Sequence, residues 1–285
     1  MNNSKKDISI LIISGQGINC DQEMFHAYKL LGVNHIDVIH INTILNNPTI
    51  IHNYDLINFP GGFSFGDNLS SGKVLANLIK YKKVNGKKYS LLDQIKIFIE
   101  NAGYILGVCN GFQILVHLNL LTNTNSKLEF EVTLKENKTN KFENRWCKFI
   151  INKQNKTPFF RGIDFIELPI RCGEGRVVIR DLLIREEILS KNLHILQYID
   201  QENNLTDNCE LNPCGSDLYL AALTDLSGQI LGMMPHPEAY LTIYNHPNWP
   251  TKKTQQTQSI IGLNIFQNIV QHISEVKYDK HIKFN

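Results

Sequence analysis

The sequence contains 285 residues, of which 42% are hydrophobic, so it can bury a full core as one large domain or as a domain with an added subdomain. Charged residues make up 20% of the chain and the formal net charge is only +2, which gives no electrostatic reason to expect nucleic acid or a membrane surface as a partner. The six cysteines form no CxxC pair and show no zinc-ligand spacing, which favours a reduced, cytoplasmic protein without a metal site.

The apolar run at residues 8–13 predicts a first β-strand. It is too short for the apolar region of a secretory signal peptide, it contains Ser9, and Asp7 precedes it. Elsewhere, no apolar stretch approaches the roughly 18 residues that a membrane-spanning helix requires.

Short apolar runs alternate with helical patterns through the first half of the chain. Strands are predicted at residues 8–13, 35–41, 55–59 and 104–106, and helices at 19–32, from about 70, at 91–101 and after Cys109. This alternation predicts an α/β fold, a three-layer αβα sandwich whose central sheet is mostly parallel. In such sheets functional groups gather at the carboxyl ends of the strands.

The second half has a different pattern, with short apolar runs separated by short loops. Runs at 127–134, 145–151, 165–170 and 176–179 predict a small antiparallel extension beside the main sheet. Two further strands at 218–223 and 229–233 precede a closing amphipathic helix at 259–275. Since no internal repeat or long linker divides the chain, we expect a single domain over residues 1–285.

Cys109 lies where the predicted strand meets the following helix. Gly107 and Gly111 flank it in the pattern Gly-x-Cys-x-Gly, which is typical of a nucleophile elbow because small neighbours allow a sharp turn that exposes the reactive side chain. A free cysteine is more often a small buried hydrophobic residue. The two glycines and the strand-to-helix corner favour a catalytic nucleophile instead.

His236-Pro237-Glu238 is the second motif that can carry chemistry. Pro237 disfavours the α conformation at His236, and in extended backbone residues two apart point to the same side. By itself the motif is more often a surface turn. Together with Cys109, however, an imidazole and a carboxylate supply the base and the orienting group that covalent acyl transfer needs.

These motifs resemble those of the class I glutamine amidotransferases, which have a flavodoxin-like fold. Within that superfamily the chain is similar to the glutaminase subunits or domains of phosphoribosylformylglycinamidine synthase, an enzyme of de novo purine biosynthesis. The motifs that carry the resemblance extend from the first strand to the last: Gly17-Ile18-Asn19-Cys20-Asp21, Phe59-Pro60-Gly61-Gly62-Phe63-Ser64-Phe65-Gly66-Asp67, Gly107-Val108-Cys109-Asn110-Gly111-Phe112-Gln113, Gly173-Glu174-Gly175-Arg176, Gly228 to Met234 and His236-Pro237-Glu238.

The resemblance implies a site and a reaction. Cys109 would attack the side-chain amide of glutamine, with His236 and Glu238 completing the triad. Backbone N–H groups of Gly62 and Asn110 would form the oxyanion hole. Gln113 matches a position that contacts the substrate glutamine, although a helix-surface amide is an equally good reading of it.

The resemblance also implies a partner. The chain has no Gly-x-x-x-x-Gly-Lys-Ser/Thr loop, so no cofactor is expected on it, and ATP and magnesium are expected on a synthetase subunit that converts formylglycinamide ribonucleotide to formylglycinamidine ribonucleotide. Ammonia would pass to that subunit through a shielded channel, with or without a small bridging subunit in the complex. The alternatives are a glutaminase that serves a CTP, GMP or anthranilate synthetase, and a non-catalytic assembly subunit of the same fold.

Three features depart from the family pattern. No arginine follows Glu238 or Ala239, whereas the family often has arginine after the glutamate. Cys172 stands before Gly-Glu-Gly, where the family usually has histidine. Extra length lies around residues 135–157 and 242–258.

Overall fold

A computed structural model of the chain describes residues 8–67, 69–83, 89–122, 130–254 and 260–283. Within these ranges the strands are β1 Ser9–Ser14, β2 His35–His40, β3 Leu56–Phe59, β4 Tyr104–Val108, β5 Val132–Lys135, β6 Glu143–Ile151, β7 Phe165–Cys172, β8 Arg176–Ile179, β9 His194–Tyr198, β10 Leu220–Thr224 and β11 Ile230–Met233. The α-helices are α1 Asp21–Leu30, α2 Ile41–Asn46, α3 Lys73–Tyr81, α4 Leu91–Glu100, α5 Asn110–His117, α6 Leu182–Ser190, α7 Trp249–Thr254 and α8 Leu263–Lys283. Among the described helices, none combines the length and the apolar character needed to cross a membrane.

Nine of the strands form one sheet in the order β2-β1-β3-β4-β11-β10-β9-β6-β7. The four pairings from β2 to β11 are parallel, and the four pairings from β11 to β7 are antiparallel. A separate antiparallel pair contains β5 and β8. The α/β fold class is thereby confirmed, and the antiparallel extension continues the parallel sheet.

Helices cover both faces of the parallel half. On β3, the Asn58 side chain accepts a hydrogen bond from Tyr28 of α1, at 2.7 Å. The next residue, Phe59, lies against Gly111 of α5. Because successive strand residues point to opposite faces, α1 and α5 lie on opposite sides of the sheet. The ring of Phe266 packs edge-on against Tyr28, so α8 shares the face of α1. Because helices cover both faces, every residue of β3 is buried, and its polar residue Asn58 is hydrogen-bonded.

Several element boundaries differ from the sequence-based prediction. The last helix begins at Leu263, four residues later than predicted, and the preceding Gly262 lies so close to Pro237 that an added Cβ would be 2.0 Å from its carbonyl oxygen. Strand β10 begins at Leu220, two residues late, because Leu218 and Tyr219 adopt left-handed backbone angles. Residues 84–88, 123–129 and 255–259 lie outside the described ranges, and with them parts of the predicted strand at 127–134 and of the predicted closing helix at 259–275.

The pairing of β4 with β11 positions the two chemical motifs. Met233 pairs with Val108 in parallel register, and the backbone N–H of Cys109 donates to the carbonyl of Met233 at 2.8 Å. Both strands therefore end at the same edge of the sheet. His236 follows β11 there, and the Gly61-Gly62 turn follows β3 at the same edge.

Candidate active site

Cys109 occupies a strained corner between β4 and α5. Its backbone angles are φ 51° and ψ −106°, outside the regions that side-chain-bearing residues favour. Its two flanking glycines are sterically required. A Cβ on Gly111 would lie 1.9 Å from the carbonyl oxygen of Phe59, and one on Gly107 would lie 2.5 Å from Leu115. The Gly-x-Cys-x-Gly pattern thus specifies the nucleophile elbow through close backbone packing.

His236 and Glu238 form a buried pair beside this corner. Nδ1 of His236 lies 2.7 Å from Oε1 of Glu238, and each residue is only 2% exposed. The backbone N–H of His236 donates to the carbonyl of Pro169 on β7. A short 3-10 helix at Pro237–Ala239 turns the chain so that the carboxylate of Glu238 lies next to the imidazole of His236. The carboxylate therefore holds the imidazole from its Nδ1 side.

The surroundings of His236 stabilise its charged form. Burial acts to lower the pKa of His236, but the carboxylate of Glu238, together with the contacts to Cys109 and Cys20, outweighs burial and raises the pKa well above 6.5. Its Nε2 atom is buried and makes no hydrogen bond within the described residues. This ring nitrogen is therefore available for proton exchange.

Gly61 brings Cys109 and His236 together. A Cβ on Gly61 would lie 2.7 Å from Cε1 of His236 and 3.4 Å from Cβ of Cys109, so both side chains pack on the same glycine. The Cys109 thiol itself is oriented to donate to the carbonyl of Arg171, at 3.5 Å. The structure thus gathers the three side chains named from the sequence at one point.

The turn after β3 carries Gly62, the predicted oxyanion donor. Gly62 has φ +141°, and an added Cβ would lie 2.3 Å from the carbonyl oxygen of Gly17. Phe63 donates its N–H to that same carbonyl. Asn110, the other predicted donor, is the first residue of α5, where backbone N–H groups lack partners within the helix. The two loops that end β1 and β3 therefore position each other.

We expect Gly17→Ala to lower kcat/KM by about 100-fold, because displacing a site loop by about 1 Å has an effect of this size. A Cβ on Gly17 would lie 2.0 Å from the carbonyl oxygen of Phe63, which adjoins Gly62. The matched control is Gly32→Ala. Gly32 has nearly the same φ, +79° against +80°, but nothing lies within 4 Å of its added Cβ.

Both substitutions should lower the free energy of unfolding by about 1–2 kcal/mol through backbone strain alone. Glutaminase assays with urea unfolding curves separate the effects. Equal activity of the two variants would show that the contact between Gly17 and Phe63 does not position the site.

Gln113, predicted to contact substrate, is engaged within the protein. Its Oε1 accepts from Nδ2 of Asn110 at 2.9 Å, and its Nε2 donates to the carbonyl of Glu174 at 2.7 Å. The Asn110 side chain also accepts from the N–H of Ser64, at 3.2 Å. These bonds connect α5 to the turn after β3 and to the Gly-Glu-Gly loop. In this arrangement Gln113 fixes the loops around Cys109, and its contact with glutamine remains a prediction.

Three residues at the site were given no catalytic or substrate role from the sequence, although Cys20 and Glu174 belong to the motifs that carry the resemblance. The carbonyl of Arg171 accepts from Cys109, and Glu174 accepts from Gln113 and, through Oε2, from the N–H of Ser71 at 3.1 Å. Cys20 lies with its Sγ 4.0 Å from Nδ1 of His236. The available signal for Cys20 was its position at the carboxyl end of β1, the edge at which the other motifs lie.

Comparison with known proteins identifies the family. Residues 7–273 match the model of the CobB/CobQ-like glutamine amidotransferase domain, which is nearly the whole chain. The chain belongs to this family.

Similar proteins are known for this glutamine amidotransferase. The phosphoribosylformylglycinamidine synthase subunit PurQ of Dehalococcoides mccartyi is 35% identical over 269 residues, covering 94% of this chain and 99% of the relative. Subunit PurQ of Methanococcus maripaludis is 34% identical over 278 residues, covering 93% and 97%. In the solved structure of PurLQS from Thermotoga maritima, a chain that is 26% identical aligns with a TM-score of 0.66, covering 93% of this chain and 99% of that one.

Proposed function

We propose that the chain, acting as a single domain over residues 1–285, is the glutaminase subunit of a phosphoribosylformylglycinamidine synthase. The observation that carries this proposal is the end-to-end similarity to PurQ subunits together with an intact Cys109, His236 and Glu238 at one edge of the sheet. Family membership supports the amidotransferase chemistry. The relatives' names support the purine pathway as its setting.

The proposed reaction begins when Cys109 attacks the side-chain amide carbon of glutamine. His236 accepts the thiol proton through Nε2 and returns a proton to the departing nitrogen, so ammonia leaves and a γ-glutamyl thioester remains. Water activated by the same imidazole then hydrolyses the thioester to glutamate. Glu238 orients the imidazole and stabilises its charged form throughout.

The oxyanion formed in each step would lie between the backbone N–H groups of Gly62 and Asn110. Gly62 has a backbone conformation that favours glycine, and Asn110 opens α5 directly after the nucleophile. Gln113 would support the substrate side of the pocket. The two donors follow neighbouring strands, β3 and β4, at the same edge of the sheet, so the oxyanion hole depends on how those strands pair.

The proposed partner is a synthetase subunit that binds ATP and magnesium and aminates formylglycinamide ribonucleotide, with or without a small bridging subunit. Ammonia that escapes into neutral water is protonated and stops being a nucleophile, so the mouth of the site must dock against the synthetase. The loops at 62–67 and 171–176 and the segment after Glu238 rim that mouth. On this rim the exposed rings of Phe63 and Phe142 lie 6.1 Å apart, and aromatic side chains are enriched in protein interfaces.

We propose a cytoplasmic location for this activity. In the structure the six cysteines are free thiols, which fits a reducing compartment. The purine relatives fit the same setting.

The isolated chain should hydrolyse glutamine slowly, and its kcat should rise by about tenfold or more when the synthetase and formylglycinamide ribonucleotide are added, a coupling of ordinary size between two sites. The physical reason is that docking closes the mouth and completes the site. Glutamate release measured with and without the partner tests this.

The control omits the nucleotide but keeps the synthetase. Activation by a CTP, GMP or anthranilate synthetase instead would assign the chain to that partner. Full activity that no synthetase changes would contradict the proposal and indicate a stand-alone hydrolase.

A further inference from the structure

A second thiol lies beside the catalytic imidazole. Cys20 follows β1 and packs with its Sγ 4.0 Å from Nδ1 of His236, the nitrogen that also faces Glu238. Donor atoms of Cys20, His236 and Glu238 all lie within 4.8 Å of one another. The three residues are buried, with Cys20 8% exposed and the other two 2%. A sulfur, a nitrogen and a carboxylate oxygen thus converge on the side of the ring that faces away from proton transfer.

This spacing fits a tetrahedral metal ion. Zn²⁺ bonds of about 2.3 Å to sulfur and about 2.0–2.2 Å to nitrogen and oxygen place donor atoms roughly 3.3–3.6 Å apart. The observed separations of 4.0 Å between sulfur and nitrogen and 2.7 Å between nitrogen and oxygen lie on either side of that value. Side-chain shifts of about 1 Å would therefore bring the three donors to bonding distance.

The electrostatics of the cluster also suit a divalent cation. The Oε2 atom of Glu238 is buried without a hydrogen-bond partner in the described part of the chain, which is costly for a carboxylate oxygen and leaves it available as a ligand. One thiolate and one carboxylate carry two negative charges, so a bound Zn²⁺ would be neutralised within the buried site. A thiolate and an imidazole favour zinc over magnesium or calcium, which prefer oxygen ligands.

We propose that Cys20, His236 and Glu238 form a binding site for Zn²⁺ and that its occupation blocks the catalytic base. The metal would bond to Nδ1 of His236, and the one remaining proton of the neutral ring would then lie on Nε2. In that state Nε2 cannot accept the proton of Cys109. The binding of the metal rests on the geometry and charge of the three side chains, whereas its inhibitory effect rests on the proposed glutaminase function.

The binding is tested on the metal-free full-length chain by calorimetric titration with Zn²⁺ and by absorption spectra with Co²⁺. We expect one ion per chain and a thiolate-to-cobalt charge-transfer band. Cys20→Ser should abolish that band and weaken Zn²⁺ binding by about tenfold or more, at least the loss that follows when a group supporting a metal ligand is removed. Glu238→Gln should weaken binding as well, which provides a second variant if Cys20→Ser does not fold.

Two matched cysteine variants test whether a thiol other than that of Cys20 binds the metal. Cys209 is exposed, and the Cys172 thiol lies 3.8 Å from that of Cys214, so it offers a competing pair of sulfurs. Cys209→Ser and Cys172→Ser should each bind Zn²⁺ as the unmodified chain does. Loss of binding in either control, or unchanged binding in Cys20→Ser, would overturn the proposed site.

Inhibition is measured as glutamate release with increasing Zn²⁺, each variant being compared with its own metal-free activity in the presence of the synthetase. The unmodified chain should lose activity as the site fills, and Cys20→Ser should require about tenfold more Zn²⁺ for the same loss. Stoichiometric binding without inhibition would refute the block of the base. If Zn²⁺ binding depends on Cys20 but the metal-free chain shows no glutaminase activity with the synthetase, the metal site is supported and the proposed function is refuted.

Discussion

Replacing Cys109 by serine should lower the glutaminase kcat by about 10⁴-fold or more, because what remains without the nucleophile is the contribution of binding and of the oxyanion hole. The strained elbow places this thiol beside His236, and no other described cysteine occupies such a corner. An alkylating analogue of glutamine should accordingly modify Cys109 with one label per chain. Peptide mapping of the labelled protein locates the modified residue.

The matched control for this substitution is Cys209→Ser. Cys209 is exposed and lies on a loop without a role in the proposed site, so its variant should keep full activity and full labelling. Labelling at Cys20 or Cys172 in place of Cys109 would overturn the assignment of the nucleophile.

His236→Ala should nearly eliminate turnover, with kcat falling on the order of 10⁶-fold, whereas Glu238→Gln should lower it on the order of 10⁴-fold. The difference follows from their positions, since the imidazole exchanges the proton and the carboxylate holds the imidazole at 2.7 Å. Steady-state kinetics on both variants, with circular dichroism to verify folding, measure it. An equal loss in a folded Glu238→Ala protein would show that the carboxylate does more than orient the ring.

The pKa of His236 provides an independent measure of how the charge of Glu238 affects the imidazole. Although burial acts to lower that pKa, the charge of Glu238 is the largest influence that raises it above 6.5, so Glu238→Gln should lower it. Because the folded-state pKa is raised, this pair stabilises the fold below about pH 6.5 and loses that effect as pH rises through the raised value. NMR titration of labelled histidine side chains measures the shift. The signal of His246, which contacts Glu167 instead, should not move.

The regular parts of the parallel half were predictable because their causes are local. Strands β1, β3 and β4 are short, largely apolar runs, and each was expected within about two residues of its place. Strands β1 and β3 end in glycine or proline turns, and β4 ends at the Cys109 corner. The strand β9 at His194–Tyr198 and the helix α6 at Leu182–Ser190 were not predicted. In α6, two leucines of the first turn are exposed while Ile184 and Ile188 are buried, so its apolar residues do not mark one face.

The chemical motifs were likewise determined by the sequence itself. Gly107 and Gly111 permit the turn at Cys109, and Pro237 directs the chain between His236 and Glu238, so each motif carries the steric reason for its own shape. Such short-range constraints act whatever the rest of the chain does. They explain why the proposed nucleophile and the proposed base could be named from the sequence alone.

Only the tertiary structure decided what surrounds those motifs. Cys20 reaches His236 across 216 positions, and Arg171 reaches Cys109 across 62, because β11 pairs with β4 and β7 lies against the turn that carries His236. Strand order and register result from burial of the whole core, and no local pattern encodes them. The sequence by itself therefore determined the reactive groups, whereas long-range packing determined which thiol, carbonyl and amide groups control them.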